Sequence, residues 1–511
     1  MCKIFSENMD SRFLQRLFSL VSSAEILFLL LLPLTFIILK NITRSCSKSK
    51  YLPPGPKPWP IIGNLLQMGN QPHVSLAEIA KIHGPLISLR LGTQLLVVGS
   101  SAKAATEILK THDRFLSARH VPQVIPRESH VLRRVALVWC PESIDTWKLL
   151  RGLCRTELFS AKAIESKATL REKKVGELMD FLVAREGKVV SIGEVVFSTV
   201  FNTISNLLFS NDLASLEEKG MSSGLKSHVR KLMLLVAAPN IADFYPIFAG
   251  LDPQGLRRKL SKLVEETFAI WAINIKERRN SYVHDSPKRD FLDVFLANGF
   301  DDDQINWLAS ELFSAGTDTT ATTIEWAVAE ILKNKEVMEK VEEELEREIT
   351  KNTISESDVS ELPYLNACIK ETLRLHPPVP LLVPHRATET CEVMKYTVPK
   401  DSQVLVNVWA ISRDPSTWED PLSFKPDRFL GSNVDFKGGN YEFLPFGAGR
   451  RICPGVPMAN KLLPLILASL IRCFDWSLPN GEDLARLDMK DKFGLVLQKE
   501  QPLLLVPKRR L

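Results

Sequence analysis

A chain of 511 residues, 45% hydrophobic and 24% charged, has the make-up of an ordinary globular protein and is long enough to bury a large core. A formal charge of +5 with no basic tract longer than a few residues gives no case for nucleic-acid binding. The eight cysteines are scattered without a CxxC pair, which argues against a disulfide framework and a zinc site and fits a reducing compartment.

The first element in the chain is apolar. From Ile26 to Leu39 no charge interrupts (ILFLLLLPLTFIIL), and Leu17 to Ala24 extends the run on the far side of Glu25. The uncharged stretch is short against the roughly 17–25 residues of a spanning helix, so the core of a cleavable signal peptide is the competing reading. No small-x-small site follows, and Lys40, Arg44, Lys48 and Lys50 come next without an acid. Residues 1–25, by contrast, balance three basic against three acidic groups. The positive-inside rule then places 1–25 in the lumen, a retained single-pass anchor at 26–39 (or from about 17), and the body in the cytosol.

Residues 40–60 read as a basic, proline-rich hinge. Five prolines within Leu52-Pro-Pro-Gly-Pro-Lys-Pro-Trp-Pro60 fix φ and remove backbone donors, leaving a stiff spacer that is neither helix nor central strand. No linker divides residues 61–511, which read as one mainly α domain with a minor β part. Residues 85–98 alternate around a glycine and predict a small hairpin. Apolar residues at three-to-four spacing predict helices over 149–159, 164–182 and 256–279, and Trp147 and Arg151 share one helix face.

A long helix is expected from near Asp303 to Lys333, with Asp301 to Asp303 at the positive end of its dipole. Its middle carries Ala315-Gly-Thr-Asp-Thr-Thr320. These residues are poor in helix interiors and their hydroxyls compete for backbone carbonyls, so a local distortion that opens a groove is expected. Helices over 337–349 and 364–375 follow, the second placing Glu371 and Arg374 three apart on one face. Strand-rich sequence such as Gln403 to Val408 comes after Pro377, then Phe424-Lys-Pro-Asp-Arg-Phe429, and an apolar helix runs from Val456 to Cys473.

The sharpest signal is Phe446-Gly-Ala-Gly-Arg-Arg-Ile-Cys-Pro-Gly455. A lone cysteine is ordinarily a small buried hydrophobe, but that role does not call for Phe, Gly, Arg and Gly at these spacings. An iron-bound thiolate does, because it must be held still, shielded from water and restrained from oxidation. Gly447, Gly449 and Gly455 allow a tight turn that aims backbone N–H groups at the sulfur. Phe446 can cover its open side, and Arg451 can reach a haem propionate.

This loop resembles the Phe-x-x-Gly-x-Arg-x-Cys-x-Gly segment of cytochrome P450 enzymes, and the resemblance extends over residues 50–511. It implies the single-domain fold of that family with an N-terminal anchor in the endoplasmic reticulum membrane, and haem b held through Cys453. It also implies O2 as co-substrate and a small organic molecule as the species oxidised. No GxGxxG follows a strand, so electrons from NADPH would arrive through a membrane-bound NADPH–cytochrome P450 reductase. By the same resemblance Thr319 bonds the activated oxygen and Asp318 feeds it protons. Trp147, Arg151 and His385 join Arg451 at the propionates, and Glu371, Arg374 and Arg428 form a structural triad. The substrate pocket is expected to draw on Glu311, Ser314 and Ala315 of the long helix, the Val379 to Leu382 segment with Leu381, Phe493, and the loop between Phe115 and Val138. Glu311 is placed there as a partner for a cationic amine.

Within the family, Ala242-Asp-Phe-Tyr-Pro246, Leu251-Asp-Pro-Gln-Gly-Leu256, Val404-Leu-Val-Asn-Val-Trp-Ala-Ile411 and Cys154-Arg-Thr-Glu-Leu-Phe159 narrow the resemblance. They are similar to a plant group that contains N-methylcoclaurine 3'-hydroxylase, berbamunine synthase, corytuberine synthase and littorine mutase. That implies aromatic hydroxylation of a benzylisoquinoline alkaloid, with phenol coupling, skeletal rearrangement or terpenoid hydroxylation as alternatives. A haem-thiolate isomerase or a non-enzymatic haem sensor would not need the Asp318-Thr319 pair, which argues against both.

Overall fold

The computed structural model describes residues 51–125, 136–142, 145–216, 224–281, 289–351 and 353–510. The expected anchor 26–39, the part of the expected hinge before residue 51 and part of the expected pocket loop lie outside the described residues. The longer helices are α1 (Pro72–His83), α2 (Asp145–Glu157), α3 (Ala168–Val183), α4 (Ile192–Phe209), α5 (Gly224–Ala237) and α6 (Leu256–Ser281). They continue with α7 (Asp302–Lys333), α8 (Lys335–Glu348), α9 (Pro363–Leu375) and α10 (Val456–Cys473).

Helix α7 is the axis on which α4, α5, α6, α8, α9 and α10 pack. It opens with a capping box: the Asp301 carboxylate accepts from Gln304 N at 2.8 Å, and the Gln304 side chain accepts from Asp301 N at 2.9 Å. Two orphan N–H groups are satisfied at once. Its second half, Ala321 to Leu332, is buried all round, as in a helix with neighbours on every side. Helix α4 lies along it so closely at Gly316 that a Cβ there would sit 2.7 Å from Ile204 Cδ1. Phe313 of α7 stacks on Phe201 of α4 at 4.6 Å and on Trp271 of α6 at 5.3 Å between ring centroids, fastening three helices through one side chain. Helices α4 and α10 are long and apolar enough to cross a membrane, yet here both are mostly interior, which accounts for their composition.

The expected distortion at 315–320 is not seen: α7 runs unbroken as an α-helix through it. The Thr319, Thr320 and Thr323 hydroxyls donate to the carbonyls four residues back, at 2.6–2.8 Å. The hydroxyls are thus satisfied beside the backbone ladder, and packing on α4 outweighs the weak local propensity. A second difference is at Lys167, where the helix expected over 164–182 divides into Ala161–Ser166 and α3.

The β part is a five-stranded sheet in the order Leu86–Leu91, Gln94–Gly99, Gln403–Val406, His385–Arg386, Ala118–Arg119. Its first two strands are the expected hairpin, with Leu86 opposite Gly99 and Leu91 opposite Gln94. The proline-rich segment from 53 lies along this edge, where Pro54 O accepts from Ser88 N at 2.9 Å. Gly55 is obligatory there, because a Cβ would lie 1.9 Å from Ser88 O. At the sheet's other end Arg119 pairs with His385, which brings together two residues that are far apart in the chain.

Candidate active site

Between Phe446 and α10 the chain makes the turn that carries Cys453. Gly447 and Gly449 adopt φ of +69° and +68°, the left-handed region that side chains disfavour. At Gly449 a Cβ would also come within 2.1 Å of Leu109 O, so two independent constraints require glycine. Cys453 N donates to Phe446 O at 3.0 Å and closes the loop. The Sγ receives the backbone N–H groups of Gly455 and Val456 at the N-terminus of α10. Burial pushes the thiol up, while these N–H groups and the Arg151 guanidinium pull the other way.

Cys453 opens into a cavity of about 370 Å³ bounded by α7, α4, α5, the 136–139 segment, the 378–385 segment and the cysteine loop. Ser314, Ala315 and Thr319 present one face of α7 to it, and Phe446 lines it beside the sulfur. Asp318, next to Thr319 in sequence, is on another face of α7. It is buried toward Arg230 and Glu194, and burial pushes it up to about 6. Leu381 and Phe493 are not in the cavity wall. Leu382 takes φ of +53°, and this turn puts Val379, Leu382 and Val383 in the wall while Leu381 packs with the sheet residues Ile87, Leu89 and Val98. Phe493 stacks on His73 at 5.3 Å, and Leu495 and Val496 take the place expected for it.

Four cationic or potentially cationic groups crowd one end of the cavity. Arg451 donates from Nε to Ser117 O and from Nη2 to Cys140 O, both at 2.9 Å, and stacks 4.2 Å from the Trp147 ring. Arg151 donates to the Ile452 carbonyl beside Cys453. His385 Nδ1 donates to Leu116 O at 2.6 Å, and burial near two arginines holds its pKa well below the ordinary histidine value. Trp147 lies behind this group, its Nε1 donating to Leu137 O at 2.9 Å.

Arg119 completes the set, a residue the sequence reading passed over. Its Nη1 donates to Val383 O at 2.7 Å, its Nε is buried without a partner, and burial beside Arg451 and Arg151 lowers its pKa strongly. Among the described residues the only carboxylate in this wall is Glu311, and its oxygens are engaged by backbone N–H groups of residues 137–139. Buried arginines with an orphaned N–H and no counter-ion are costly. A macrocycle bearing two carboxylates and needing an axial sulfur supplies what both ends of the cavity lack. The residues fit haem.

Away from the cavity, Glu371 and Arg374 are fully buried and paired twice, Nε to Oε2 at 2.7 Å and Nη2 to Oε1 at 2.8 Å. Arg428 Nε reaches Glu371 Oε1 at 3.1 Å. None of the three lines the cavity.

Fold, cysteine loop and cation cluster together define a haem-thiolate protein, and the Cytochrome P450 family model matches residues 53–506. The chain belongs to the cytochrome P450 family, and it is a monooxygenase of that family. It is 50% identical over 487 residues to a probable (S)-N-methylcoclaurine 3'-hydroxylase isozyme 2 of Coptis japonica, covering 95% of this chain and 99% of that protein. Isozyme 1 of (S)-N-methylcoclaurine 3'-hydroxylase from Papaver somniferum is 48% identical over 466 residues, 91% of this chain and 96% of its own. Corytuberine synthase of Coptis japonica is 45% identical over 498 residues, 97% and 99%.

Proposed function

We propose that the enzyme hydroxylates the aromatic ring of a benzylisoquinoline alkaloid of the N-methylcoclaurine type, taking electrons from NADPH through a reductase at the endoplasmic reticulum membrane. The observation that carries this reading is the 50% identity, over nearly the whole of both chains, to a probable N-methylcoclaurine 3'-hydroxylase. The 45% identity to corytuberine synthase makes oxidative coupling the second reading. When bound, haem supplies the activation of O2 and the oxidising equivalent for the substrate.

The chain's own part is to hold, exclude and deliver. Cys453, fixed by two N–H groups, would supply the thiolate that holds the haem iron. Arg119, Arg151, Arg451 and His385 would hold the two haem carboxylates, with Trp147 backing the arginines. The apolar wall from α4, α5 and the 378–385 segment excludes water and seats a flat aromatic substrate. Thr319 lines the cavity and its Oγ1 donates to Ala315 O at 2.6 Å, which supports a role for this hydroxyl in handling bound oxygen. Asp318, pushed up to about 6, keeps a proton at a pH where an ordinary aspartate has lost it. It sits on the face of α7 turned toward Arg230 and Glu194, and would act as a proton reservoir behind the cavity wall and not through contact with the Thr319 hydroxyl.

Microsomes carrying the enzyme and a plant reductase, given NADPH and (S)-N-methylcoclaurine under ¹⁸O2, are expected to yield a catechol product with one labelled oxygen. A product coupled between two rings without label would establish the second reading instead, and no NADPH-dependent product from any benzylisoquinoline would overturn both. In the same assay Thr319→Ala is expected to consume NADPH at near the parent rate while product falls at least about tenfold. The missing electrons should be recovered as hydrogen peroxide. Unchanged coupling of NADPH to product would remove Thr319 from proton delivery.

A further inference from the structure

Glu311 lies on α7 at the cavity edge, 8% exposed, where a free carboxylate would be the natural partner of an amine. Its oxygens are already committed. Oε2 accepts from Leu137 N at 2.5 Å and from Val138 N at 3.1 Å, and Oε1 accepts from Trp139 N at 3.1 Å. A carboxylate has about four acceptor positions, so three consecutive N–H groups take most of them. The carbonyls of the same strap point the other way, into the cation cluster. Leu137 O accepts from Trp147 Nε1 at 2.9 Å, Cys140 O from Arg451 Nη2 at 2.9 Å, and Pro141 O from Arg119 N at 2.8 Å.

We propose that Glu311 is a positioning residue for the haem-binding side chains: its carboxylate fastens the 137–139 backbone to α7, and the 137–141 carbonyls in turn set Trp147, Arg451 and Arg119. One buried acid thereby ties the oxygen-activating helix to the groups that hold the carboxylate edge of the cofactor. The alternative role is direct pairing with a cationic substrate. Burial pushes Glu311 up to about 7 while the three N–H groups pull the other way, so the strap bonds favour the carboxylate form the first role needs. The proposal rests on the family assignment and the arginine cluster, and not on the identity of the alkaloid.

The test compares the parent holoenzyme with Glu311→Gln, which turns a pure acceptor into a group with its own donors, and with Glu311→Asp, which keeps the charge but withdraws the oxygens by one methylene. Two quantities are read: the rate at which haem passes to an excess of a haem-scavenging protein, and the dissociation constants of a benzylisoquinoline amine and of its uncharged carbon isostere, followed by the Soret shift. Both variants are expected to release haem at least tenfold faster and to weaken the two ligands by the same factor. Haem release within twofold of the parent in both variants would overturn the proposal. So would a loss confined to the charged ligand in Glu311→Gln that Glu311→Asp restores. If the Gln variant does not accumulate as holoenzyme, Glu311→Asp decides the question alone. The haem-release arm uses no substrate, so failure of the alkaloid reading leaves it intact.

Discussion

Cys453→Ser, prepared with haem and supplied with reductase, is expected to lose turnover entirely. It should also lose the red-displaced Soret band that the reduced, carbon-monoxide-treated protein gives only with a thiolate ligand. Serine has nearly the same shape, and the hydrogen bond that closes the loop, Cys453 N to Phe446 O, is made by the backbone, so the turn itself should survive. What changes is the donor. Two N–H groups at the start of α10 and the Arg151 guanidinium favour an anion at this position, but a hydroxyl resists ionisation far more strongly than a thiol and offers a harder, less electron-donating atom. No other cysteine among the described residues lines the cavity. Cys154 is buried within α2, and burial pushes its thiol up to about 12, so Cys154→Ser should keep both the band and the activity. A thiolate-type band in Cys453→Ser, or its loss in Cys154→Ser alone, would relocate the ligand and undo the site described above.

How much of this could be read from the chain divides along a physical line. Features written in local spacing were legible. The hairpin, α10 from Val456 to Cys473, the start of α7 at its acidic cap and the cysteine turn depend on residues within a few positions of one another. Features made by distant strands were not. Arg119 sits in a two-residue strand whose partner is His385, and nothing in Phe115-Leu-Ser-Ala-Arg119 says that an arginine there will be buried beside a cofactor. The expected wall segment Val379 to Leu382 does line the cavity, but through Val379 and Leu382 and not Leu381: one non-glycine residue with positive φ exchanges which side chain faces inward, and sequence alternation does not record such a turn. The opposite error occurred at 315–320, where weak helix formers suggested a local distortion and packing on α4 overrode them. Glu311 lines the cavity, but the three N–H groups that occupy its carboxylate come from a segment more than 170 residues earlier, and no local pattern around residue 311 records them.

The second large effect is expected at the triad, and it should be one of folding rather than chemistry. Glu371 and Arg374 are both fully buried, and each satisfies the other through two bonds. The guanidinium also donates to the carbonyls of Ser412 at 2.7 Å and Pro421 at 2.8 Å, and Glu371 Oε1 accepts from Lys425 N at 2.8 Å. The pair therefore clamps α9 to the whole 412–425 segment. Glu371→Gln leaves Arg374 buried with an uncompensated charge, which costs about 3–5 kcal/mol out of a net stability of about 5–15 kcal/mol. Arg374→Lys should be nearly as severe, because one ammonium cannot reproduce a planar fork that serves a carboxylate and the carbonyls of Ser412, Pro421 and Ser423 together. Arg428→Lys should be milder: its side chain is partly exposed and reaches Glu371 by a single 3.1 Å bond. Holoenzyme yield and unfolding temperature should thus fall in the order parent, Arg428→Lys, Arg374→Lys, Glu371→Gln. In whatever fraction retains the thiolate-type spectrum, turnover per haem should match the parent, because none of the three lines the cavity. Normal yield with reduced turnover per haem would instead place the triad in the reaction, and the clamp would then be the wrong account of why two charges are buried there.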